Sequence, residues 1–399
     1  MNDSRTSNGA GHHRVAQLAV LINGFPFDSR VFSSDADVPL VRIRDLKASE
    51  FETFVPREAV PSSAFVRDGD VVIGMDGDFN SVLWNRGEAA LNQRVCLLRA
   101  RSGVDPRYLA YAIPPHLQEI NELTRSTTVK HLAAGSVRAI RIPAHNYAQQ
   151  RAIADYLDRE TAQIDAFIAK NQELINLLTE RRASSIDDAF ASLDKKLTRL
   201  KHLARIQTGV TLGGEGDLDD PEWPYLRVAN VQVGRVDLSE VKTVRVSETR
   251  ARQSMLNPGD VLMTEGGDRD KLGRGAMWSG EAEPMLHQNH VFAVRTGDHL
   301  DARFLMRWLD ASSSREYFEA TAVQTTNLAS TNKTLVGNLP LPYCAVPTQV
   351  ALVSELDRRL QAIDVSIDVA RRGISLARER RAALISAAVT GKIDVREAA

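Results

Sequence analysis

The chain has 399 residues, with 50 Lys and Arg against 51 Asp and Glu, a net charge of -1, 43% hydrophobic residues and 25% charged ones. That balance is globular and long enough for two or three domains. It excludes a disordered chain, and it excludes a basic protein that holds nucleic acid by bulk charge alone. No window approaches ~18 uninterrupted apolar residues and the amino terminus has no apolar core, so neither a membrane span nor a secretion signal is expected and the protein is placed in the cytoplasm. Cys96 and Cys344 lie too far apart in sequence for zinc-ligand spacing and are too few for a disulfide framework.

In chain order, residues 1–14 read as a polar, disordered tail. Residues 15–145 form a first β-rich α+β domain, in which runs such as Val71-Val72-Ile73 and Val95-Cys96-Leu97-Leu98 are separated by Gly, Asp and Asn turns. From Ser136 to Thr208 there is no glycine and one proline, Pro143, so a long helix is expected over 146–192. Its apolar stripe steps by fours and threes through Leu157, Ile164, Ile168, Ile175 and Leu178. Residues 193–345 read as a second β-rich domain. A second long helix is expected over 346–392, with Leu356, Leu360, Ile363, Ile367 and Ile374 as its stripe. About 40 helical residues at ~1.5 Å each span ~60 Å, and a stripe that long needs an equally long partner. The other helix is the economical candidate.

The chain is in fact written twice. At one constant offset and with no gap, Pro143 falls on Pro342, Gln150 on Gln349, Asp158 on Asp357, Ile164-Asp165 on Ile363-Asp364, and Glu180-Arg181-Arg182-Ala183 on Glu379-Arg380-Arg381-Ala382. Upstream the match is looser: Asp68-Gly69-Asp70-Val71 faces Pro258-Gly259-Asp260-Val261, and Asp105-Pro-Arg-Tyr-Leu faces Asp301-Ala-Arg-Phe-Leu. A repeat with a constant end and a variable front predicts one mechanical job done twice on two targets.

Catalytic signatures are missing. Gly391-Lys392-Ile393 lacks the glycine-rich lead of a phosphate loop, no G-x-G-x-x-G follows a strand, and Asn257-Pro258-Gly259 is a turn rather than an adenine-methyltransferase motif. The nine histidines show no metal-ligand spacing, so no metal is expected. Glu265, Asp268 and Asp270 are interleaved with Arg269, Lys271 and Arg274, which reads as a charged loop rather than a nuclease centre.

What the variable parts offer are polar loops. Arg pairs with guanine and Asn or Gln with adenine in the major groove, while Lys and Arg neutralise phosphate. In the first domain the candidates for DNA contact are Arg42, Arg44, Asn80, Ser81, Asn92, Gln93, Arg94, Thr128, Lys130 and His131. In the second they are Arg227, Arg269, Lys271, Arg274, His287, Gln288, Asn289, Asn327, Asn332 and Lys333.

The sequence resembles the specificity (S) subunits of type I restriction-modification enzymes. The resemblance rests on Asn23-Gly-Phe-Pro-Phe-Asp-Ser29, Pro39-Leu-Val-Arg-Ile-Arg-Asp45, Pro258-Gly-Asp-Val-Leu-Met-Thr-Glu-Gly-Gly-Asp268, Asp270-Lys-Leu-Gly-Arg-Gly275, His287-Gln-Asn-His-Val-Phe292 and the closing Arg380-Arg-Ala-Ala-Leu-Ile-Ser-Ala-Ala-Val-Thr-Gly-Lys-Ile393. It implies two tandem target-recognition domains, each followed by a long helix. The two helices would pack as an antiparallel coiled coil about a pseudo-twofold repeat. It also implies a non-catalytic chain that reads a split double-stranded DNA site, one half per domain. The chain would recruit two adenine-methylating (M) subunits and motor-nuclease (R) subunits in defence against foreign DNA. S-adenosylmethionine, ATP and Mg would belong to those partners, with no cofactor in this chain. Two other readings, from the residues alone, are a stand-alone DNA-binding regulator with duplicated domains and a coiled-coil adaptor that binds no DNA.

Overall fold

The structure, a computed structural model, describes residues 11–124, 130–193, 196–212, 219–267, 272–324 and 329–395. The chain divides into two compact units, one made of Met1–Lys170 with Gly373–Ala399 and the other of Asn171–Arg372.

In the first unit a four-stranded antiparallel sheet has the order Ala19–Asn23, Val95–Ala100, Val71–Gly74, Ser81–Leu83. Its central register sets Val72 against Leu97 and Ile73 against Cys96. Successive strand residues face opposite sides, and here each side has its own core. Val71, Ile73, Cys96 and Leu98 pack with Tyr108, Leu109 and Ile142. Val72, Val95 and Leu97 pack with Trp84 and Leu91. Both faces are therefore covered, which is why these strands read as continuous apolar runs rather than as alternating ones. A smaller sheet pairs Val38–Val41 in parallel with Ala89–Leu91.

The second unit repeats this plan with other residues. Its sheet has the order Ala204–Thr208, Val291–Thr296, Val261–Thr264, Gly275–Met277. Val261, Met263, Phe292 and Val294 face one core, Leu262, Val291 and Ala293 the other. Glu222–Leu226 runs parallel to Leu286–His287.

Three polar devices recur at equivalent places. A buried aspartate takes a two-pronged arginine: Arg99 Nε and Nη2 donate to Asp70 at 2.9 and 2.7 Å, and Arg295 donates to Asp260 at 2.8 and 2.6 Å. An aspartate caps the helix that follows the sheet, Asp105 before Pro106–Ala112 and Asp301 before Ala302–Asp310. A buried glutamine ties that cap to a long helix. Gln150 accepts from Asp105 N and donates to His145 O, and Gln349 accepts from Asp301 N and donates to Cys344 O and His299 O. Glycine is required where the first strand of each sheet turns. A Cβ on Gly24 would lie 1.8 Å from the Asn92 carbonyl oxygen, and one on Gly209 would lie 1.9 Å from that of His287.

The long helices are Tyr147–Ala191 and Val346–Val389. Their expected stripe divides in two. Leu157 belongs to the first core, and Leu356 and Leu360 to the second, so these three serve the cores of the units and not a helix seam alone. Ile164, Ile175, Ile367 and Ile374 are buried elsewhere, while Ile168, Leu178 and Ile363 are half-buried. In the first unit Arg381 Nε lies 3.1 Å from Asp165, and in the second Arg182 Nε donates to Asp364 at 2.9 Å. Each pair takes its arginine from one copy of the repeat and its aspartate from the other. The carboxyl end of the second long helix is built into the first unit: Ile385, Ala388 and Val389 lie in its core, and His145 Nε2 is 2.9 Å from the Val389 carbonyl oxygen. Among the described residues no helix is long and apolar enough to cross a membrane.

Candidate nucleic-acid interface

In the first unit three separate stretches meet at the end of the sheet. The hairpin after Val71–Gly74 turns through left-handed Gly77 and Phe79, and the buried Phe79 side chain anchors it. Asp76 pairs across a β-bridge with His131, Gly77 N donates to Lys130 O, and Met75 N donates to Arg94 O. The loops around 76–81, 92–94 and 130–131 are thereby brought together. At their junction Asp76 lies 3.2 Å from Arg94 Nη1 and 2.7 Å from His131 Nδ1. Lys47 Nζ donates to Asn80 Oδ1 at 2.7 Å, and Lys130 Nζ donates to the Asn121 carbonyl and side chain.

The second unit brings the corresponding stretches together. Glu265 N donates to His290 O and Thr331 N to Glu265 O, Gly266–Gly267 pairs with Ala329–Ser330, and the Glu265 carboxylate meets His290 Nδ1.

Several sequence candidates sit on these junctions. Arg94, Gln93 and His131 are exposed, and Asn80, Ser81 and Lys130 are half-buried beside them. In the second unit Gln288 and Asn289 are half-buried on the turn that carries His290, and Asn332 and Lys333 are exposed at the start of the helix Lys333–Asn338. Asn332 Oδ1 accepts from Leu335 N, which commits it to capping that helix. Arg44 is exposed, 3.7 Å from Glu52. Thr128, Arg269, Lys271 and Asn327 lie outside the described residues.

Five candidates are turned to other work. Arg42 donates from Nε to the buried Asp45 at 2.8 Å, closing a short helical turn. Arg227, at the matching turn, donates to the Glu240 carbonyl, and its Nε is buried without a partner. Asn92 is buried, and its carbonyl closes the turn to Val95. His287 is fully buried with Nδ1 against the Val291 carbonyl, and burial holds its imidazole pKa below the ordinary value of 6.5. Arg274 lines a pocket of about 600 Å³ with Arg182, Arg303 and Asp357 instead of standing at a loop tip. Its Nε is buried there without a partner. An Arg, Asn or His inside a loop motif reads as polar and exposed in sequence, whereas the fold buries it, and Arg42, Arg227 and His287 each find a carboxylate or a backbone carbonyl there.

The residues missed as site candidates are Asp76, Glu265 and His290. Their signal was positional: each lies where a core strand gives way to a variable loop. Among the described residues no cluster of His, Cys, Asp and Glu is arranged to hold a metal ion. Burial pushes the Cys96 thiol up to about 12, which makes it inert.

The model of the type I restriction modification DNA specificity domain family matches residues 16–177. Those residues are similar to a type I DNA specificity domain. The match covers the whole first sheet, the Asp76 junction and about two thirds of the leading long helix. The chain is 29% identical over 287 residues to the type I restriction enzyme EcoBI specificity subunit of Escherichia coli, covering 64% of this chain and 60% of that protein. It is 24% identical over 279 residues to the EcoKI specificity subunit of Escherichia coli K12, covering 63% and 60%. The matches thus span about 60% of the length of these relatives. A chain solved in a study of complex assembly and conformational transition of the type I R-M system superposes with a TM-score of 0.68 at 16% identity, covering 96% of this chain and 98% of that one. The HsdS subunit from Thermoanaerobacter tengcongensis superposes with a TM-score of 0.50 at 17% identity, covering 97% and 98%. At such identities the likeness is one of fold. The chain is similar to type I specificity subunits, and it shares the mixed helix and strand fold of these structures.

Proposed function

We propose that this chain is the DNA-recognition subunit of a type I restriction-modification complex, without catalysis of its own, reading a bipartite site with one half per unit. The observation that carries this is the repeated junction. The same three stretches converge in both units, on one framework, with different side chains: Asp76, Arg94 and His131 in the first, Glu265 and His290 in the second. A framework kept constant while its exposed polar residues change suits two readers of two different base sequences.

On this reading the two long helices pack as an antiparallel coiled coil, a proposal supported by the exchanged ion pairs Arg381–Asp165 and Arg182–Asp364. Two methyltransferase subunits and motor-nuclease subunits dock on this scaffold in the cytoplasm, and S-adenosylmethionine, ATP and Mg belong to them. Methylome sequencing of cells with and without the chain tests the function. Loss of one split adenine-methylation motif is the expected result. An unchanged methylome, with DNA binding retained, points instead to a stand-alone regulator. Arg94→Ala should cost about 1–3 kcal/mol on the cognate site and relax one half-site alone.

A further inference from the structure

A carboxylate at a DNA-facing surface repels phosphate, yet each junction has one at its centre. Asp76 is recessed, with its side chain 18% exposed, against 60% for Arg94 and 56% for His131. Glu265 is 35% exposed against 52% for His290. The nitrogen-bearing groups reach outward, and the carboxylate lies beneath them.

The chemistry of the pair fixes the imidazole. A carboxylate only accepts, so the His131 nitrogen facing Asp76, Nδ1, carries the hydrogen. In the neutral ring Nε2 is then an acceptor, and it has no partner among the described residues. His290 is held by Glu265 in the same way. Arg94 keeps the rest of its donor fork. The two copies reach this pairing from neighbouring backbone positions, since Glu265 occupies the place of Met75: Met75 N donates to Arg94 O and Glu265 N to His290 O, while Leu132 N and Thr331 N donate to their carbonyls.

We propose that Asp76 and Glu265 are positioning residues of two preformed base-reading heads. Asp76 holds Arg94 as a fork suited to guanine O6 and N7, and sets the His131 tautomer so that Nε2 accepts from an exocyclic amine of adenine or cytosine. Glu265 sets the His290 tautomer for the other half-site. This inference rests on the DNA-reading function proposed above.

The test uses the full chain reconstituted with its methylating subunits, a pool of sites randomised at both half-sites, and non-specific duplex binding at one fixed salt concentration. Asp76→Asn should lower discrimination at one or two base pairs of one half-site by about tenfold. It should leave the other half-site intact and leave non-specific affinity equal or higher, because a charge that repels phosphate is gone. Glu265→Gln should do the same to the other half-site. Arg94→Lys, on an exposed turn, keeps the charge without the fork and should reproduce the guanine part of the loss. In an Arg94→Ala/His131→Ala background Asp76→Asn should lower discrimination no further, since its effect on base reading acts through those two side chains. Unchanged preferences in Asp76→Asn, relaxation of both half-sites, or parallel loss of specific and non-specific binding would each overturn the inference. A wild-type complex with no preferred site would instead overturn the DNA-reading function itself.

Discussion

Replacing Gln349 by methionine removes a polar staple while nearly keeping its volume. Gln349 is 0% exposed; its Oε1 accepts from Asp301 N at 2.9 Å, and its Nε2 donates to His299 O at 3.0 Å and Cys344 O at 2.9 Å. The substitution strands one N–H and two carbonyls where no water replaces the lost partner. Each such group costs about 1–3 kcal/mol, so the three together cost roughly 3–9 kcal/mol. That is a large share of the ~5–15 kcal/mol that stabilises a domain. Gln150→Met, with partners only at Asp105 N and His145 O, should cost roughly 2–6 kcal/mol by the same reasoning. Hydrogen exchange followed by mass spectrometry reads each unit separately. In Gln349→Met the segments Val291–Thr296 and Ala302–Asp310 should exchange about 100-fold faster or more, since each ~1.4 kcal/mol is tenfold. The reasoning fails if exchange there stays within about tenfold of wild type, or if Gln150→Met destabilises its own unit more than Gln349→Met does.

The second unit should also lose stability in mild acid. Burial lowers the His287 pKa below 6.5, so below 6.5 the unfolded chain takes a proton that the folded one refuses, and stability is full above that value and falls as pH drops beneath it. A melting temperature that is flat between pH 7 and 5, or a decline identical in His287→Gln, would contradict this. Gly24→Ala and Gly209→Ala should each collapse the sheet they serve, because a methyl group has no room against the Asn92 and His287 carbonyls. Circular dichroism of both variants, with Gly135→Ala as the mild control because a methyl there meets nothing within 4 Å, checks the expectation.

Local chemistry was legible in the sequence. The lack of glycine between Ser136 and Thr208, and of proline beyond Pro143, gave away the first long helix, because propagation needs only unbroken helix formers. The constant offset from Pro143 to Ala183 exposed the duplication before any coordinate. The 76–81, 92–94 and 130–131 stretches stood out as polar loops around core strands, since turn residues and strand residues differ in what backbone they tolerate.

What surrounds each polar side chain was decided by tertiary structure alone. Arg94 and Arg42 look alike in sequence, yet one is exposed beside Asp76 and the other closes a turn on buried Asp45. Asp76 reaches Arg94 from another segment, whereas Asp45 lies only three residues from Arg42. The loops meet because the strands Val71–Gly74 and Val95–Ala100 are neighbours in the sheet, a pairing that no period of two encodes. The stripe of the long helices was visible as a period, but its division among destinations was not. Leu157, Leu356 and Leu360 fill the cores of the units, and Ile385, Ala388 and Val389 close the first core from the far end of the chain. Periodicity says which face of a helix is apolar; burying that face is a non-local event, and only the fold determines which core receives it.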